Sequence, residues 1–214
     1  MSGYPNSPKL SKAAIVVFDA PNPVPSVINF QYNPETLSRD IKANTAEGGA
    51  QSDTFRLSGA PIETIKMEVT LDATDRLEDN DETARKIGIY GELASFETLI
   101  TPKSTTIIAN TILLNLGTIE ILSATAPFTL LVWGMRVLPV RISGFGITEE
   151  SFDNNLNPVR AKISLDLTVL TYSDLEQTHP GYAIYLSHQI VKETLSMQAR
   201  GSASSILTQK LSRF

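Results

Sequence analysis

The stretch that decides the fold is residues 127–171, PFTLLVWGMRVLPVRISGFGITEESFDNNLNPVRAKISLDLTVLT. It contains three long runs rich in β-branched and aromatic residues, at residues 128–133, 137–152 and 159–172. In the third run apolar residues alternate with polar ones, which is the period of a strand with one buried face. The stretch therefore predicts a strand followed by a long antiparallel hairpin.

The turn and the core of this stretch can be placed from residue types. Between the second and third runs lie Asn154, Asn155, Asn157 and Pro158. Asparagine tolerates positive φ and proline fixes φ, so these residues favour a turn. We expect the structural core to include Trp133, Ile163, Leu165, Leu167 and Val169 from this stretch, and Met67 and Val69 from upstream.

Further strands precede this stretch. Residues 65–72 alternate between apolar and hydrophilic side chains and predict a half-buried strand. Residues 13–18 and 27–32 predict two more strands, joined by a proline-rich connection. The polar residues 33–61 are expected to form a long loop, and loops of that length usually have a function.

Helical and ambiguous segments complete the chain. Residues 88–101 have amphipathic spacing that ends at Pro102, which predicts one flanking helix. The acidic residues 72–83 are expected to form a solvated loop, and residues 105–122 are mixed, with a strand favoured by their β-branched content. We expect a β domain over residues 1–178 and a C-terminal helical extension over residues 179–214.

Composition excludes several classes of function. The 214 residues are 42% hydrophobic and 19% charged, as in a folded protein, and the net charge of −5 disfavours binding to nucleic acid. With no cysteine and two histidines, the sequence predicts neither a disulfide nor a transition-metal centre. The N-terminus has no signal-like apolar core and no run is long enough to cross a bilayer, so we expect synthesis in a cytoplasm without direct membrane insertion.

The search for catalytic or cofactor chemistry is negative. Gly144 and Gly146 lie within a predicted strand and favour a bulge over a dinucleotide loop. Glu149 and Glu150 are adjacent in a strand, so they point to opposite faces and do not converge. Surface or packing roles are expected for the two histidines and for the acidic set Asp72, Asp75, Glu78, Asp79, Asp81 and Glu82. We predict no catalytic residue, no metal site and no cofactor.

Four segments together resemble a known family. They are FQYNPETL at residues 30–37, RLSGAPIETIKMEVTLDATD at 56–75, ELASFETLITP at 92–102, and the long stretch at 126–170. Their order and spacing resemble the tube-like domain of contractile injection systems. In that family the domain occurs in the baseplate protein that joins the spike to the inner tube, a hub or tube-initiator protein.

The resemblance implies a fold and an assembly. The fold would be mainly β, a phage tail-tube-like antiparallel β-barrel or sandwich of two packed sheets with one flanking helix and a C-terminal helical tail. The protomers would form a hexameric ring as homo-oligomers. The implied partners are a spike (VgrG-like) protein, the inner tube subunit and other baseplate proteins, with no nucleic acid.

The resemblance also implies interface residues and a location. The hairpin tip and the helical tail are the candidate subunit or partner interface, through Asn154, Asn155, Pro158, Tyr185, Ile206, Leu211 and Phe214. The particle would assemble in the bacterial cytoplasm and be released or anchored at a membrane. One departure is that many of these adaptors carry a LysM domain after the tube-like domain, whereas the residues after 175 here are few and helical in pattern.

Two alternatives to the adaptor stay open. The first is that the chain is an inner tube subunit of the same apparatus, although such subunits generally lack a helical tail of this length. A small-molecule-binding β-barrel of lipocalin type is less favoured, because it needs an apolar cavity while the strand faces here are hydrophilic. An enzyme is the weakest alternative, since no nucleophile, base and oxyanion set can be assembled.

Overall fold

A computed structural model of the protein describes residues 11–19, 24–45, 56–117 and 122–199. Within these residues the chain forms seven strands and five helices. In chain order they are β1 (Ala14–Phe18), β2 (Ser26–Asn29), β3 (Leu37–Lys42), β4 (Ile62–Asp72), α1 (Thr74–Glu78), α2 (Glu82–Ile87), α3 (Tyr90–Glu97), α4 (Ser104–Asn115), β5 (Phe128–Trp133), β6 (Arg136–Phe152), β7 (Pro158–Val169) and α5 (Pro180–Ala199).

The seven strands form one antiparallel sheet in the order β2-β1-β5-β6-β7-β4-β3. The prediction of a mainly β protein with a C-terminal helix is confirmed. The resemblance implied two packed sheets, but the described strands are continuous because β6, 17 residues long, pairs with two partners. Its first part pairs with β5 and its remainder pairs with β7.

The predicted hairpin is formed by β6 and β7, with Ile147 opposite Ile163 and Phe145 opposite Leu165. The register shifts between Ile142 and Gly144, which confirms the bulge expected at the Gly144-Phe145-Gly146 segment. Such a bulge bends a strand and increases its twist. This bend lies just beyond the residues of β6 that pair with β5.

The turn between β6 and β7 is held by a carboxylate. Asp153 Oδ1 accepts hydrogen bonds from the backbone N–H of Asn155 at 2.7 Å and of Asn157 at 2.8 Å. The residue with positive φ is Leu156, at 63°, and not an asparagine as the residue types suggested. The hydrogen bonds that Asp153 accepts fix both neighbours of Leu156 and so impose its backbone conformation.

The core lies on one face of the sheet. Met67, Val69, Ile163, Leu165, Leu167 and Val169 are all buried there. Trp133 is only half-buried and packs against the edge of this cluster. The flanking helix α3 covers the core with Leu93 and Phe96, each 1% exposed, and each such side chain contributes about 1.5–3 kcal/mol by burial.

Two of the predicted loops contain regular structure. The expected loop over residues 33–61 includes β3, which pairs with β4 from Leu37 opposite Met67 to Lys42 opposite Ile62. The acidic stretch folds as α1 and α2, and the Asp81 carboxylate caps α2 by accepting from the N–H of Thr83 and Ala84. Acidic residues at helix N-termini are stabilised by the helix dipole, so this charge favours helix over loop.

The strand expected within residues 105–122 is wrong, because α4 occupies residues 104–115. Intrinsic preferences of β-branched residues are small, less than about 1 kcal/mol each, whereas an unpaired strand leaves its backbone groups without partners. A helix satisfies those groups locally, and Thr111 adds a bond from its hydroxyl to the Ile107 carbonyl at 2.9 Å. Residues 118–121 lie outside the described residues.

The helix layer is joined to the hairpin through Gly88. Its φ is +61°, and a Cβ built on it would lie 2.0 Å from the carbonyl oxygen of Pro158. The next residue, Ile89, donates its N–H to that same carbonyl at 2.9 Å. The contact brings the start of β7 against the chain that enters α3.

We expect Gly88→Ala to destabilise the protein strongly. The positive φ alone costs roughly 1–3 kcal/mol for a residue with a Cβ, and the overlap with Pro158 adds to it. Gly134→Ala is the matched control, because Gly134 has a φ of +57° but no atom lies within 4 Å of its built Cβ. Urea denaturation of both variants measures the difference, and an equal loss of stability would show that the Pro158 contact has no energetic weight.

Candidate assembly surfaces

One outer face of the sheet is polar, and we call it the hydrophilic face. It is formed by Lys66, Glu68, Thr70 and Asp72 of β4 and by Arg160, Lys162, Ser164 and Asp166 of β7. The register places opposite charges directly across from each other. Lys66 Nζ lies 3.4 Å from Asp166 Oδ1, and Lys162 Nζ lies 3.1 Å from Glu150 of β6. The charges on this face therefore largely neutralise one another.

Asp72 ties the end of this face to the rest of the sheet. Its carboxylate accepts from Arg160 Nε at 2.9 Å, and from the Thr74 N–H at 2.8 Å. Burial raises the pKa of Asp72, but the hydrogen bonds from Thr74 and Arg160 outweigh that effect and hold the pKa below 3.8. The side chain of Gln31 forms two hydrogen bonds with the Asp72 backbone. Its Nε2 donates to the Asp72 carbonyl, and its Oε1 accepts from the Asp72 N–H.

The acidic residues singled out in the sequence do not converge. Asp72 pairs with Arg160, Asp81 caps α2, and Glu82 lies 3.6 Å from Lys86 on the same helix. Across residues 11–19, 24–45, 56–117 and 122–199, no group of three or more histidine and carboxylate side chains could hold a metal ion. These carboxylates act in capping and ion pairing.

The helix α4 is largely uncovered in the single chain. None of its residues is buried, and from residue 104 to 117 the sequence contains no charged side chain. Five large apolar residues in the helix and at its C-cap are 54% to 74% exposed: Ile107, Ile108, Ile112, Leu114 and Leu116. With 3.6 residues per turn they spread over about 200° of the helix circumference, which is wider than the apolar stripe of an ordinary surface helix. A surface of this kind marks an interaction site.

The predicted interface residues fall in three places. Asn154 and Asn155 are exposed at the tip of the β6–β7 hairpin, where a partner can reach them. Pro158 and Tyr185 are buried in the single chain, Tyr185 at 3% exposure, so neither side chain is accessible there. The expected contacts Ile206, Leu211 and Phe214 lie outside the described residues.

A family model described as contractile injection system tube protein matches residues 9–178. The chain belongs to this family. The match covers the whole sheet, α3 and α4, so the hydrophilic face and the exposed helix are both parts of the tube-protein region. Membership makes the chain a structural component that assembles with other parts of a contractile injection system. No curated protein matches the sequence.

The helix α5 lies beyond the region that matches the tube-protein family. It packs against the start of β6, where Met135 and Val137 face Ala183 and Val191 across a shallow groove. Tyr185 reaches the core, and its ring lies 5.9 Å from that of Tyr172. Among the described helices, none has the length and hydropathy needed to cross a membrane.

Sequence reasoning missed the ion pair beneath α5. Glu63 is 1% exposed and accepts from Arg39 Nε at 2.6 Å. The sequence does indicate that Glu63 is buried, because it is two residues from Ile65 and four from Met67 in β4. Alternate residues of a strand point to the same face, so Glu63 points to the apolar face. Its partner cannot be read from the sequence, since Arg39 belongs to the strand β3, for which the sequence predicts a loop.

His188 lies in the same region. Its Nε2 is buried and has no hydrogen-bond partner among the described residues. Burial lowers the pKa of His188 below 6.5, and Lys192 on the same helix lowers it further. The sheet contributes Arg39 and Arg136, which also lower this pKa, and Glu63, which raises it. Protonation of His188 is therefore unfavourable in the folded chain.

We expect the folded protein to lose stability as the pH falls below 6.5, the ordinary pKa of histidine. The unfolded chain binds the proton more readily than the folded one, so the free energy of unfolding decreases in this range. Asp72 and Asp153, whose pKa values are lowered, contribute a separate loss only as the pH falls below 3.8.

His188→Gln should flatten the pH dependence of the urea midpoint between about pH 7 and 5. Ser187→Gln, the same replacement at the neighbouring exposed position, serves as the control and should keep the slope of the natural chain. Identical slopes for all three proteins would mean that His188 does not titrate differently in the folded and unfolded states.

Proposed function

We propose that this protein is a structural baseplate component of a contractile, phage tail-like injection system, and that it forms a hexameric ring joining the spike to the inner tube. Its partners are further copies of itself, a trimeric spike protein, the first ring of the inner tube and other baseplate proteins. The particle assembles in the bacterial cytoplasm and is then released or anchored at a membrane. The protein has no catalytic role.

The exposed helix α4 is the observation that carries this proposal. It lies within the region that matches the tube-protein family, yet Ile107, Ile108, Ile112 and Leu114 are more than half exposed in the single chain. Leaving several aliphatic side chains in water is costly, at about 25 cal/mol for each Å² of apolar surface. A partner that covers α4 removes this cost. Neighbouring subunits in a ring supply such a cover at every position by symmetry.

The residues beyond the family match favour an adaptor over a plain tube subunit. The match ends at residue 178, whereas α5 continues to Ala199 and adds a helical element against β6. A protein that contacts a trimeric spike on one side and a six-fold tube on the other needs an additional contact surface for the spike. Tube subunits, which stack on identical rings, do not need this surface. We assign residues 1–178 to the tube-like domain and 179–214 to this extension. The pattern of the extension does not suggest a LysM domain.

The hydrophilic face supports a position around a water-filled lumen. Lys66 and Asp166 are exposed on it, Lys162 is half-buried, and all three alternate with side chains that enter the core. We infer that β4, β6 and β7 of each subunit contribute to the inner wall. Among the described strands, β2 and β3 are the edges of the sheet and each pairs on one side only, so their outer sides are suited to pairing with a neighbouring subunit.

The inner tube subunit is the second candidate, and the description of the matching family favours it directly. A lipocalin-like barrel has less support. The described strands fill their inner side with packed residues such as Ile65, Leu131 and Ile163, all about 1% exposed or less, and α3 covers them. That arrangement is a solid core.

Electron microscopy of the purified protein separates the adaptor from the tube subunit. We expect single six-fold rings from the protein alone, and rings capped by spike on one side and extended by tube on the other when both partners are added. Long tubes formed by the protein alone would identify it as the tube subunit. A strictly monomeric protein that binds neither partner at high concentration would contradict both roles.

The double variant Ile108→Glu and Ile112→Glu should abolish ring formation while the subunit stays folded. Both side chains are more than half exposed in the single chain, so the carboxylates cost little there, but burying them unpaired in an interface costs several kcal/mol. Light scattering measures the loss of the assembled species, and circular dichroism checks the fold.

Thr105→Glu is the matched control for this variant. It adds one carboxylate, half the charge of the double variant, to the first turn of α4, where the helix dipole favours an acidic residue. Rings should persist in this variant. If the double variant assembled as well as the control, α4 would not be a subunit contact.

A further inference from the structure

The shallow groove between α5 and the start of β6 has apolar walls that are open to solvent. Its volume is about 340 Å³, and its walls include Met135 and Val137 of β6 and Ala183, Ile184 and Val191 of α5. Met135 is 86% exposed, Val137 36% and Val191 42%. From Ala183 to Val191 the groove extends about 12 Å along α5, which is the length of about two turns of helix. We call it the α5–β6 groove.

Two exposed cations lie beside the α5–β6 groove. Arg136 is the residue of β6 between the two wall residues of that strand, and Lys192 follows Val191 on α5. Lys192 is also one turn of helix beyond His188, which lines the groove. Burial lowers the pKa of His188, and both cations lower it further. Arg136 and Lys192 therefore lie near the side of the groove that His188 forms.

Neither of these cations is in an ion pair among the described residues. Two carboxylates are near them in the fold or in the sequence, and both already have partners. Glu63 is 1% exposed and accepts from Arg39 Nε at 2.6 Å, and Glu193 accepts from Gln189 at 3.2 Å. This side of the groove therefore has unpaired positive charge, in a chain whose net charge is −5.

Shape and charge together select the kind of partner that fits the α5–β6 groove. An amphipathic helix can lay apolar side chains that are one turn apart into an apolar groove. The two cations favour carboxylates on that helix, because opposite charges across an interface attract and align the partners. Anionic membrane surfaces are recognised by clusters of roughly four to eight lysines or arginines, which is more than this groove offers. A protein segment with apolar and acidic side chains is therefore the better fit.

We propose that the α5–β6 groove is the docking site for an acidic amphipathic helix of another protein. Apolar side chains of that helix cover Met135, Val137 and Val191, and its carboxylates pair with Arg136 and Lys192. One wall of the groove, α5, lies beyond the region that matches the tube-protein family, so membership of that family does not account for the site. The groove is complete within one chain, so docking does not require ring assembly.

Three short synthetic helical peptides test the chemistry of the partner. The first has leucine on one side of the helix and glutamate on the other, the second has lysine in place of glutamate, and the third has serine in place of leucine. Fluorescence anisotropy of labelled peptides measures their affinity for the full chain, and the first should bind most tightly. The emission of the single tryptophan, Trp133, which pairs with Arg136 across β5 and β6, should change on binding. Equal affinity for the first and second peptides would overturn the proposal.

Removal of the two cations tests the polar part of the site. Arg136→Gln with Lys192→Gln should weaken binding of the glutamate peptide by roughly 2- to 30-fold, the range expected for the loss of two exposed ion pairs. Arg85→Gln with Arg141→Gln is the matched control, because it removes two other exposed cations and changes the net charge equally. The control should bind like the natural chain. Equal weakening in both variants would show a response to overall charge, which would overturn the assignment to the groove.

A single replacement tests the apolar wall. Val191→Ser should weaken binding of the glutamate peptide by roughly fourfold or more, the effect of losing one buried methylene group. Ile190→Ser is the control, since Ile190 is 55% exposed at the neighbouring position and does not line the groove. Circular dichroism checks that both variants are folded, and equal binding by the two would mean that the peptide does not occupy the groove.

Other occupants of the groove give different results. Binding to phosphatidylserine vesicles without binding to the glutamate peptide would identify a lipid surface and overturn the proposal. Self-association that the loss of Arg136 and Lys192 abolishes, again without peptide binding, would identify a second copy of the chain and overturn it as well. None of these measurements depends on ring formation, so a negative result is distinguishable from failure of the adaptor role.

Discussion

The architecture depends on the ability of β6 to pair with two neighbours in succession. From Arg136 to Val140 it pairs with β5, and beyond that point it pairs with β7 as far as Phe152. Without this long strand, β1, β2 and β5 would form one small sheet and β3, β4 and β7 another. The bulge between Ile142 and Gly144 lies next to the exchange of partners and supplies the extra bend that a continuous, curved sheet needs.

The parts of the fold that could be predicted are those with a clear local period. In β4 and β7 every second residue is apolar, so the strands, their buried faces and the core residues Met67 and Leu165 follow from the sequence. The hairpin turn could also be placed, because Asn and Pro cluster between two apolar runs. Its detailed backbone could not, since the carboxylate of Asp153 shifts the positive φ onto Leu156.

The parts that could not be predicted depend on distant partners. β3 has no clear alternation, and only its pairing with β4 makes it a strand. The helix α4 has a strand-like composition, and what decides its structure is that no described strand lies beside it. The same limit applies to the ion pair of Arg39 and Glu63. The alternation of β4 places Glu63 on the buried face, but nothing in the neighbouring sequence identifies Arg39 as its partner. Among the predicted interface residues, the exposure of Asn154 could be predicted because it lies in a turn. The burial of Tyr185 could not, because it depends on where α5 packs against the sheet.

The register of the hydrophilic face decides how it would meet a molecule that passed through the proposed lumen. Lys66, Lys162 and Arg160 are each already paired with a carboxylate on the same sheet. In that position these three cations have no free charge to offer to an acidic patch. The face would then be well hydrated without holding acidic cargo, which suits the proposed place around a lumen.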